Sequence, residues 1–454
     1  MQKESNEILI ISIKRLLRRG ATKQLKNIIQ KTHTVDLSAV FRELSTDNRE
    51  KLFPLIETIE KKGILLSKLE ENIFLEIVKT IKLENLVEIF DQMPADDAAE
   101  LLGRLDEELS DEILKKMKTK GSEDVEELMS HGEDTAGSLM MPDFIALRED
   151  VGAREVIDAL QNKFLDVEMP FYIYVVDEYE KLVGVSSLRQ LVVVQPEKPL
   201  KEFMARDIVS VKTYTDREEV AKVVSRYDYL AVPVVDDDNR IVGIVTVDDV
   251  IDILHDSATE DMLKMAGVGD DYIETQTILR GTKIRLPWLF ASFLGGIAAF
   301  LIIGGYEESL AQYTFLAAFI PVIMGMGGNI GTQSSTIVVR GIATGMINVR
   351  DFWKIISKEL AIGLILGVFY GLFIGIVASV TYRAEPVFIP LAISVGLAVV
   401  ASMSVAALVG SGIPLLFEKI NVDPAIATGP FVTTAVDIVS VSCYFMIATL
   451  LLGI

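Results

Sequence analysis

Residues 286–304 read LPWLFASFLGGIAAFLIIG, nineteen consecutive residues without a charged side chain. A helix needs about 20 such residues to cross the hydrocarbon core of a bilayer. Outward from this run, towards the C-terminus, four more long runs are almost free of charge. The sequence therefore predicts an all-α membrane domain over 286–454, with spans at about 286–304, 310–343, 355–382, 389–417 and 424–454.

Charge divides the chain into two unlike parts. From Arg280 onward there are 9 basic and 8 acidic residues, so of the total 44 basic and 65 acidic residues the first 279 positions carry 35 and 57. A net charge of −22 over those positions argues against nucleic acid as a partner, because nucleic-acid binding needs basic patches. An acidic region of this kind would attract cations instead.

Several classes of site are excluded by residue types alone. The single cysteine, Cys443, lies in an apolar run, the three histidines are scattered, and no Gly-Lys dipeptide is present. The chain therefore has no disulfide framework, no expected zinc site and no Walker A phosphate loop. Since no nucleophile or acid–base pair stands out either, we expect no enzymatic activity.

The distribution of basic residues predicts the orientation of the chain. Glu4 and Glu7 precede the first short apolar stretch and basic residues follow it, the reverse of a secretory signal, so the N-terminus should be cytoplasmic. Eight of the nine basic residues after position 279 then lie inside and only Arg383 lies outside, as the positive-inside rule requires. Five spans place the C-terminus outside the cytoplasm.

The acidic region begins with a predicted helical domain, residues 1–132. Apolar residues recur at spacings of three and four, as at Leu86, Ile89 and Phe90, which predicts a stack of short amphipathic helices. Asp96, in the segment Met93-Pro-Ala-Asp-Asp, lies at a helix start, where the macrodipole favours acids. Helix capping alone would explain this segment.

An internal repeat follows over residues 138–255, in copies at about 138–200 and 201–255. Residues 173–190 align without gaps on residues 232–249, at an offset of 59. In each copy a β-branched strand ends in an acidic turn, and a second strand passes through Gly184 or Gly243 into a helix. The sequence predicts two copies of one α/β module, followed by an amphipathic connector over 256–285.

The strongest signal within the spans is Asp437, the one acidic residue that we place deep in an apolar run. Counted from Asp423, it lies 14 residues along its helix, about 21 Å and near the middle of the membrane. A carboxylate there is costly unless it faces water or a cation, and Thr433 and Thr434 place hydroxyls on the same helix face. We interpret Asp437 and Thr433 as part of a cation pathway; a protonated, structural Asp437 is the alternative.

Two glycine patterns accompany it. The second span contains Pro321-Val-Ile-Met-Gly-Met-Gly-Gly-Asn-Ile-Gly-Thr-Gln, in which several residues weaken a helix, so we expect broken backbone near Gly328 and Asn329 that presents oxygens to an ion. A kinked packing helix is the alternative. Gly363, Gly367, Gly371 and Gly375 form a stripe that we interpret as a helix-packing surface.

Taken together, these motifs resemble the MgtE family of magnesium transporters. The resemblance covers nearly the whole chain and is carried by Pro321 to Gln333, by Gly243-Ile-Val-Thr-Val-Asp-Asp, by Ala258-Thr-Glu-Asp to Ala266-Gly, and by Asp423-Pro, Gly429-Pro and Asp437. It implies a superhelical N-terminal domain, a tandem CBS pair and a homodimer with one pore on its two-fold axis. It further implies that Asp437 holds hydrated Mg²⁺ and that the connector, or plug helix, closes the pore when cytosolic Mg²⁺ is high.

The resemblance also implies binding residues outside the pore. CBS pairs can hold adenosine nucleotides such as ATP, with a hydroxyl residue and an Asp three positions later at the ribose; Thr246 and Asp249 match this pattern, whereas the first copy has Ser187 and Gln190. We therefore expect Ser187 to cap a helix. The regulatory Mg²⁺ positions implied are Asp91, Asp96, Asp97, Asp216, Glu218, Asp228, Asp249, Asp252, Glu260, Asp261 and Asp423, with Glu100 as a further candidate.

Elementary chemistry agrees with such a function. Mg²⁺ prefers oxygen ligands and keeps its water, so one carboxylate per subunit with hydroxyls and carbonyls suits it. An inside-negative potential of 100 mV favours entry of a divalent ion by roughly 4.6 kcal/mol, so uptake through the cell membrane needs no ATPase. Two alternatives remain at this stage: a CBS-regulated transporter of another ion, such as an anion, and a nucleotide-sensing membrane receptor without transport.

Overall fold

The computed structural model describes residues 2–162, 164, 170–268 and 278–453. The chain forms two compact units, Met1–His255 and Asp256–Ile454. The first contains the helical N-terminal region and the repeat, and the second contains the apolar helices. The three predicted classes of structure, all-α, α/β and all-α membrane helices, are confirmed.

The N-terminal region is built only from short helices. Leu86, Ile89 and Phe90 are each at most 2% exposed, so the predicted apolar face forms the core. The helices are α1 (Gln2–Arg19), α2 (Thr22–Lys31), α3 (Thr34–Arg42), α4 (Thr46–Leu52), α5 (Ile59–Ser67), α6 (Glu71–Val78), α7 (Leu83–Phe90), α8 (Ala95–Gly103), α9 (Glu107–Lys116) and α10 (Thr119–Ser130), with a 3₁₀ turn at Phe53–Leu55.

The repeat folds as two equivalent three-stranded sheets. In each sheet the first strand is parallel to the second and the second is antiparallel to the third. Val175 lies opposite Gly184 and Val234 lies opposite Gly243, so the offset of 59 relates the two registers. The elements are α11 (Ala136–Leu139), β1 (Ala146–Arg148), α12 (Ala153–Asn162), β2 (Tyr172–Val176), β3 (Leu182–Ser187), α13 (Leu188–Val193), β4 (Val211–Lys212), α14 (Arg217–Tyr227), β5 (Ala231–Val235) and β6 (Ile241–Thr246), with a 3₁₀ turn at Leu200–Glu202.

The strand glycines have the same packing role in both copies. A Cβ atom added to Gly184 would lie 2.2 Å from Sδ of Met204, and one added to Gly243 would lie 2.7 Å from Sδ of Met140. Each glycine therefore makes room for a methionine side chain against the sheet. This contact explains why the glycine recurs in the repeat.

The connector begins earlier than the sequence indicated. Helix α15 (Val247–Met265) starts directly after β6, and Gly267 follows it with a positive φ of 70°. Residues 269–277 of the predicted connector lie outside the described residues. Arg280, Lys283 and Arg285 belong to the first apolar helix, α16 (Ile278–Gly304).

Within the described residues, five segments are long and apolar enough to span a membrane, as predicted: 278–304, 314–343, 349–381, 388–419 and 430–452. The predicted last span is divided at Gly429, so that its main helix starts at Pro430. The elements after α16 are α17 (Glu307–Gln312), α18 (Ile320–Ala343), α19 (Phe352–Thr381), α20 (Phe388–Lys419), α21 (Pro424–Thr428) and α22 (Pro430–Leu452), with 3₁₀ segments at Thr314–Phe319 and Val349–Asp351.

The expectation of broken backbone in the second span is wrong. Helix α18 runs without interruption through Gly328 and Asn329. Pro321 lies in its first turn, where its missing N–H costs no helical hydrogen bond. Gly327 and Gly331 instead allow close approach, because added Cβ atoms would lie 2.4 Å from Oγ of Ser440 and 2.9 Å from Cγ2 of Val436.

The glycine stripe on α19 packs against α20, as predicted. A Cβ atom added to Gly363 would lie 2.9 Å from Met403 O, one added to Gly371 would lie 2.5 Å from Gly396 O, and one added to Gly375 would lie 3.0 Å from Ala392 O. Backbone meets backbone along this seam, so larger side chains would separate the two helices.

Candidate functional site

The carboxylate of Asp437 lies near one end of its helix rather than at its centre. Asp437 is seven residues after Pro430, where α22 begins, which corresponds to about 10 Å of helix. The distance of 21 Å counted from Asp423 was too long because the chain turns at Gly429. Asp437 therefore lies about one third of the way along α22.

Gly328 of α18 lies beside this carboxylate. A Cβ atom added to Gly328 would lie 3.9 Å from Oδ1 of Asp437. Among the described residues no hydrogen-bond or ion-pair partner of Asp437 is found, and its side chain is only partly buried. The carboxylate thus keeps open space beside it instead of being sealed in protein packing.

A polar stripe extends along α18 from this point. Gly328 is half-buried and Asn329 is exposed, and the hydroxyl of Thr332 donates to the Gly328 carbonyl at 2.9 Å. The exposed polar residues of the stripe are Asn329, Thr332, Gln333 and Thr336. On an isolated membrane helix such a row of amides and hydroxyls would face lipid at considerable cost.

Helix α22 contributes two threonines, only one of which belongs to this surface. Thr433 is exposed, one turn before Asp437. Thr434 points elsewhere, because a Cβ atom added to Gly295 of α16 would lie 1.9 Å from Cγ2 of Thr434. The expectation that both hydroxyls share the face of Asp437 therefore holds for Thr433 alone.

Behind the polar stripe, two serines join the helices that present it. The hydroxyls of Ser402 on α20 and Ser440 on α22 are 2.7 Å apart, and Ser402 also donates to the Ile323 carbonyl of α18 at 3.3 Å. Both serines are at most 1% exposed. These bonds hold α18 and α22 in fixed register around Asp437 and Gly328.

A second cluster lies within the first unit, where α8 meets the start of α15. Burial, with the nearby charges of Asp249 and Asp97, raises the pKa of Asp96 to about 7, and its Oδ1 is buried without a hydrogen-bond partner among the described residues. Burial also raises the pKa of Asp249 to about 6, although the Thr246 hydroxyl donates to Asp249 at 2.6 Å. The structure thus brings predicted residues from two domains together.

A lysine that sequence reasoning overlooked lies beside this cluster. The ammonium of Lys68, at the end of α5, is 3.2 Å from Oδ2 of Asp252 on α15. Burial alone would lower the pKa of Lys68, but the charges of Asp252, Asp97 and Asp249 raise it overall. Lys68 therefore places a positive charge beside the carboxylates of this cluster.

The other predicted regulatory residues of this unit have structural roles here and lie apart from the cluster. Asp91 accepts from Lys118 N, Asp216 caps α14 by accepting from Glu218 N, and Asp228 ends α14 with a φ of 54°. Among residues 2–162, 164, 170–268 and 278–453, no three acidic, histidine or cysteine side chains converge as a preassembled metal site. Glu100 forms an ion pair with Arg104 on the same helix.

The two possible nucleotide positions differ as the residues suggested. Thr246 is 2% exposed and its hydroxyl is bonded to the carboxylates that follow it in α15. In the first copy, Ser187 and Gln190 form a reciprocal capping box at the start of α13. The prediction that Ser187 caps a helix is confirmed.

A third cluster joins the end of α15 to the start of α21 in the second unit. The Lys264 ammonium lies between Oε1 of Glu260 and Oδ2 of Asp423, at 2.7 Å from the latter. Oδ1 of Asp423 accepts from Ala425 N at 2.8 Å and so caps α21. Burial lowers the pKa of Lys264, but the hydrogen bonds to Asp423 and Glu260 outweigh that effect and raise it. An ammonium thus bridges two carboxylates that the resemblance assigned to Mg²⁺.

The sequence contains a local signal for one of the overlooked ion pairs but none for the other. Lys264 lies four residues after Glu260 on one helix, a spacing that predicts an ion pair. Lys68 and Asp252 are separated by 184 residues, and no local pattern joins them. Glu359 of α19, only 4% exposed, accepts from the Ser334 hydroxyl at 2.8 Å; it lies near the start of the predicted third span, and no local pattern pairs it with Ser334.

The raised pKa values predict how stability depends on pH. Asp96 and Asp249 bind protons more tightly in the folded chain than in the unfolded chain, so protonation stabilises the fold and this stabilisation is lost as pH rises through about 6 to 7. We expect the melting temperature of the full chain in detergent, without divalent ions, to rise as pH falls from about 8 to about 5.5.

Matched variants test the origin of this dependence. Asp249→Asn removes one of the repelling charges and should raise the melting temperature at about pH 8 while flattening its pH dependence. Asp237→Asn, in the exposed turn between β5 and β6, is the control and should leave both unchanged. A melting temperature that climbs with pH over this range would contradict the assignment.

Three family models match parts of this chain. The family model for the MgtE intracellular N domain matches residues 32–134, CBS-domain models match 136–197 and 200–256, and the MgtE divalent cation transporter model matches 320–447. The magnesium transporter MgtE of Thermus thermophilus is 35% identical over 98% of this chain and 99% of its own length. That of Bacillus subtilis is 32% identical over 99% and 98%, respectively.

Solved structures resemble the first unit. A crystal structure of the cytosolic domain of the Mg²⁺ channel MgtE in complex with ATP is 36% identical, with a TM-score of 0.51, over 54% of this chain and 99% of that chain. The soluble part of a magnesium transporter is 26% identical, with a TM-score of 0.50, over 56% of this chain and 99% of that one.

Proposed function

Because the chain belongs to the MgtE family of magnesium transporters, we propose that it is a multi-pass membrane protein that conducts Mg²⁺ selectively into the cell. The observation that carries this proposal is the exposed polar stripe on two apolar helices, with Asp437 open beside Gly328. Uptake of Mg²⁺ into liposomes, compared between the protein and an Asp437 variant, tests it.

The stripe also supports a homodimer. Asn329, Gln333, Thr336 and Thr433 are exposed on one chain, and lipid cannot satisfy their hydrogen bonds. A second copy related by a two-fold axis would cover the stripe and enclose a polar path between the subunits. Two Asp437 carboxylates would then face one ion, which favours a divalent cation.

The chemistry of the stripe suits Mg²⁺ with its water shell. Mg²⁺ dehydrates reluctantly and is usually held by one or two carboxylates and several waters. The missing side chain at Gly328 leaves space for such waters beside Asp437, while Asn329 and Thr433 offer further oxygens. The membrane potential drives entry, at roughly 4.6 kcal/mol per 100 mV for a divalent ion. We propose a cytoplasmic N-terminus and an extracytoplasmic C-terminus.

We propose that cytosolic Mg²⁺ closes the channel through the acidic cluster of Asp96, Asp97, Asp249 and Asp252. Without Mg²⁺, bound protons and the Lys68 ammonium reduce the repulsion among these carboxylates. Mg²⁺ would relieve the same repulsion at physiological pH and join α8 to α15. It shifts the equilibrium only if it binds the closed arrangement more tightly than the open one.

In the second unit, the contact of Lys264 with Glu260 and Asp423 is the second place at which we expect cytosolic Mg²⁺ to act on the channel. Gly267, just after α15, packs against the start of α22, since a Cβ atom added to it would lie 3.3 Å from Pro430. We propose that Lys264 weakly favours this position of the plug helix when Mg²⁺ is scarce, and that bound Mg²⁺ favours it more strongly. Mg²⁺ at Glu260, Asp261 and Asp423 would then compete with an internal cation.

Replacing Lys264 tests this role. Lys264→Met leaves two adjacent carboxylates without their ammonium, so we expect a higher open probability in patch recordings without cytosolic Mg²⁺ and inhibition at a lower Mg²⁺ concentration. Lys264→Arg keeps the charge and should behave like the unmodified protein. Identical Mg²⁺ dependence in Lys264→Met, or reduced activity without Mg²⁺, would overturn the proposal.

We further propose that an adenosine nucleotide such as ATP binds the second CBS copy. Asp249 can accept from ribose hydroxyls at the start of α15, in exchange for its bond from Thr246. The capping box of Ser187 and Gln190 does not fit the same role in the first copy. The relatives are named transporters, and we propose no enzymatic activity.

Other functions fit the membrane unit less well. An anion transporter would need buried Lys or Arg along its path, whereas the polar stripe between 328 and 336 contains amides and hydroxyls beside a carboxylate. A receptor without transport would have no use for an open carboxylate next to a glycine.

A further inference from the structure

A cavity of about 200 Å³ lies between the end of α18 and the start of α19. Its apolar wall includes Ile337 and Met346, which are 57% and 79% exposed. Its polar wall includes Asn348, Asp351, Lys354, Lys358 and Glu359. One water needs only about 10–15 Å³, so the cavity is large enough for a small polar headgroup.

The loop that closes one side of the cavity is firmly held. Ile347 N donates to the Gly341 carbonyl at 2.8 Å, and a Cβ atom added to Gly341 would lie 2.4 Å from Cδ1 of Ile347. Asn348 accepts from Arg350 N at 2.9 Å and caps the 3₁₀ turn that leads into α19. The cavity is thus part of the folded chain and not a gap beneath a loose loop.

Glu359 is the most unusual residue of this wall. Its side chain is 96% buried, since only 4% is exposed, and its Oε2 accepts from the Ser334 hydroxyl at 2.8 Å. Among the described residues, neither Oε1 of Glu359 nor the ammonium groups of Lys354 and Lys358 have an ion-pair partner. A buried carboxylate of this kind is stabilised by a cationic group that enters the cavity.

The charges of the cavity form a dipole. Lys354 and Lys358 are exposed on one face of α19, one turn apart, and supply two positive charges at the rim, whereas Glu359 and Asp351 supply two negative charges. An anion alone would meet the carboxylates, and a simple cation would meet the lysines. The charge pattern therefore matches a zwitterion, with its phosphate at the lysines and its ammonium at Glu359.

The surroundings identify the source of such a zwitterion. Trp353, 79% exposed, lies with Lys354 in the first turn of α19, just after Arg350 of the preceding 3₁₀ turn, and aromatic and basic residues mark the membrane–water interface. The exposed Ile337 and Met346 offer apolar contact for an acyl chain. We propose that this cavity binds the headgroup of an aminophospholipid, a phosphatidylethanolamine, at the membrane surface. The proposal requires only that α18 and α19 span a membrane, and it is independent of the ion conducted.

The experiment compares lipids that differ only in their headgroup amine. The full chain, stripped of lipid in detergent, is titrated with dioleoyl phosphatidylethanolamine, its mono- and dimethyl derivatives and phosphatidylcholine, and bound lipid is counted by native mass spectrometry. Binding should weaken stepwise with methylation, to about tenfold for phosphatidylcholine, because one charge-assisted hydrogen bond to Glu359 is lost. Equal binding across this series would overturn the proposal, whatever any variant does.

Two variants then assign the contacts. Glu359→Gln keeps an acceptor for Ser334 and should abolish the preference for ethanolamine over choline, so that the two headgroups bind about equally. Lys354→Gln with Lys358→Gln, both exposed, should weaken all phospholipids while keeping that preference; Lys419→Gln, at the end of α20, is the control. A preference unchanged in Glu359→Gln would show that the amine binds elsewhere and would overturn the assignment.

Discussion

Replacing Asp437 by Asn should abolish Mg²⁺ flux while the protein remains folded. Asn has the same shape and can still contact water, but it removes the charge that would balance a dication next to Gly328. If the carboxylate supplies even about 2.7 kcal/mol of stabilisation to the passing ion, flux falls about 100-fold. Because two copies would face one ion in a dimer, we expect a larger loss.

The measurement is Mg²⁺ uptake into liposomes with an imposed inside-negative potential. The unmodified protein should take up Mg²⁺ faster as the potential grows, and Asp437→Asn should remain at background at every potential. Glu385→Gln, which removes an acidic residue from the loop between α19 and α20, is the control and should conduct normally. The size of the purified particle shows whether the dimer survives. Undiminished flux through a folded Asp437→Asn protein would overturn the transport site.

Neutralising Asp249 and Asp252 together should leave the protein conductive at millimolar cytosolic Mg²⁺. Asn at position 249 can keep the bond from Thr246, whereas the loss of both charges removes Mg²⁺ ligands from the acidic cluster and the partner of Lys68. If Mg²⁺ no longer binds the closed state more tightly than the open state, it no longer shifts the channel towards the closed state. We expect the half-inhibitory Mg²⁺ concentration to rise at least about tenfold, equivalent to ~1.4 kcal/mol of lost differential binding.

Patch recordings at several cytosolic Mg²⁺ concentrations measure this shift. The matched control is Asp237→Asn with Asp238→Asn, which removes the same charge from an exposed turn of the same CBS copy. That control should retain shutoff at the concentration of the unmodified protein. Normal shutoff in the double variant of Asp249 and Asp252 would contradict their role, and so would a channel that is closed at all Mg²⁺ concentrations.

The architecture was predictable because its signals are local. Nineteen uncharged residues define a span wherever they occur, and a gapless offset of 59 defines a repeat that the register of β2–β3 and β5–β6 reproduces. The glycine stripe on α19 also needed only its spacing of four to be identified as a packing surface. Hydropathy and periodicity are properties of short stretches, so they survive without tertiary context.

The two wrong predictions, on α18 and on the position of Asp437, concern features that depend on tertiary packing. Helix α18 stays intact through Gly327 and Gly331 because α20 and α22 pack closely against it there, which outweighs the weak helix propensity of glycine. The position of Asp437 along its helix was misjudged because the count from Asp423 ran through Gly429-Pro430, where the chain turns and the helix restarts.

The amino-acid sequence alone determined the membrane class, the two repeated modules and the carboxylate of Asp437, since each depends on residue types close together in the chain. Only the tertiary structure decided which cations meet which acids: Lys68 beside Asp252, Lys264 between Glu260 and Asp423, and Glu359 buried against Ser334. Partners as far as 184 residues apart are chosen by how helices pack, and packing depends on the whole fold at once.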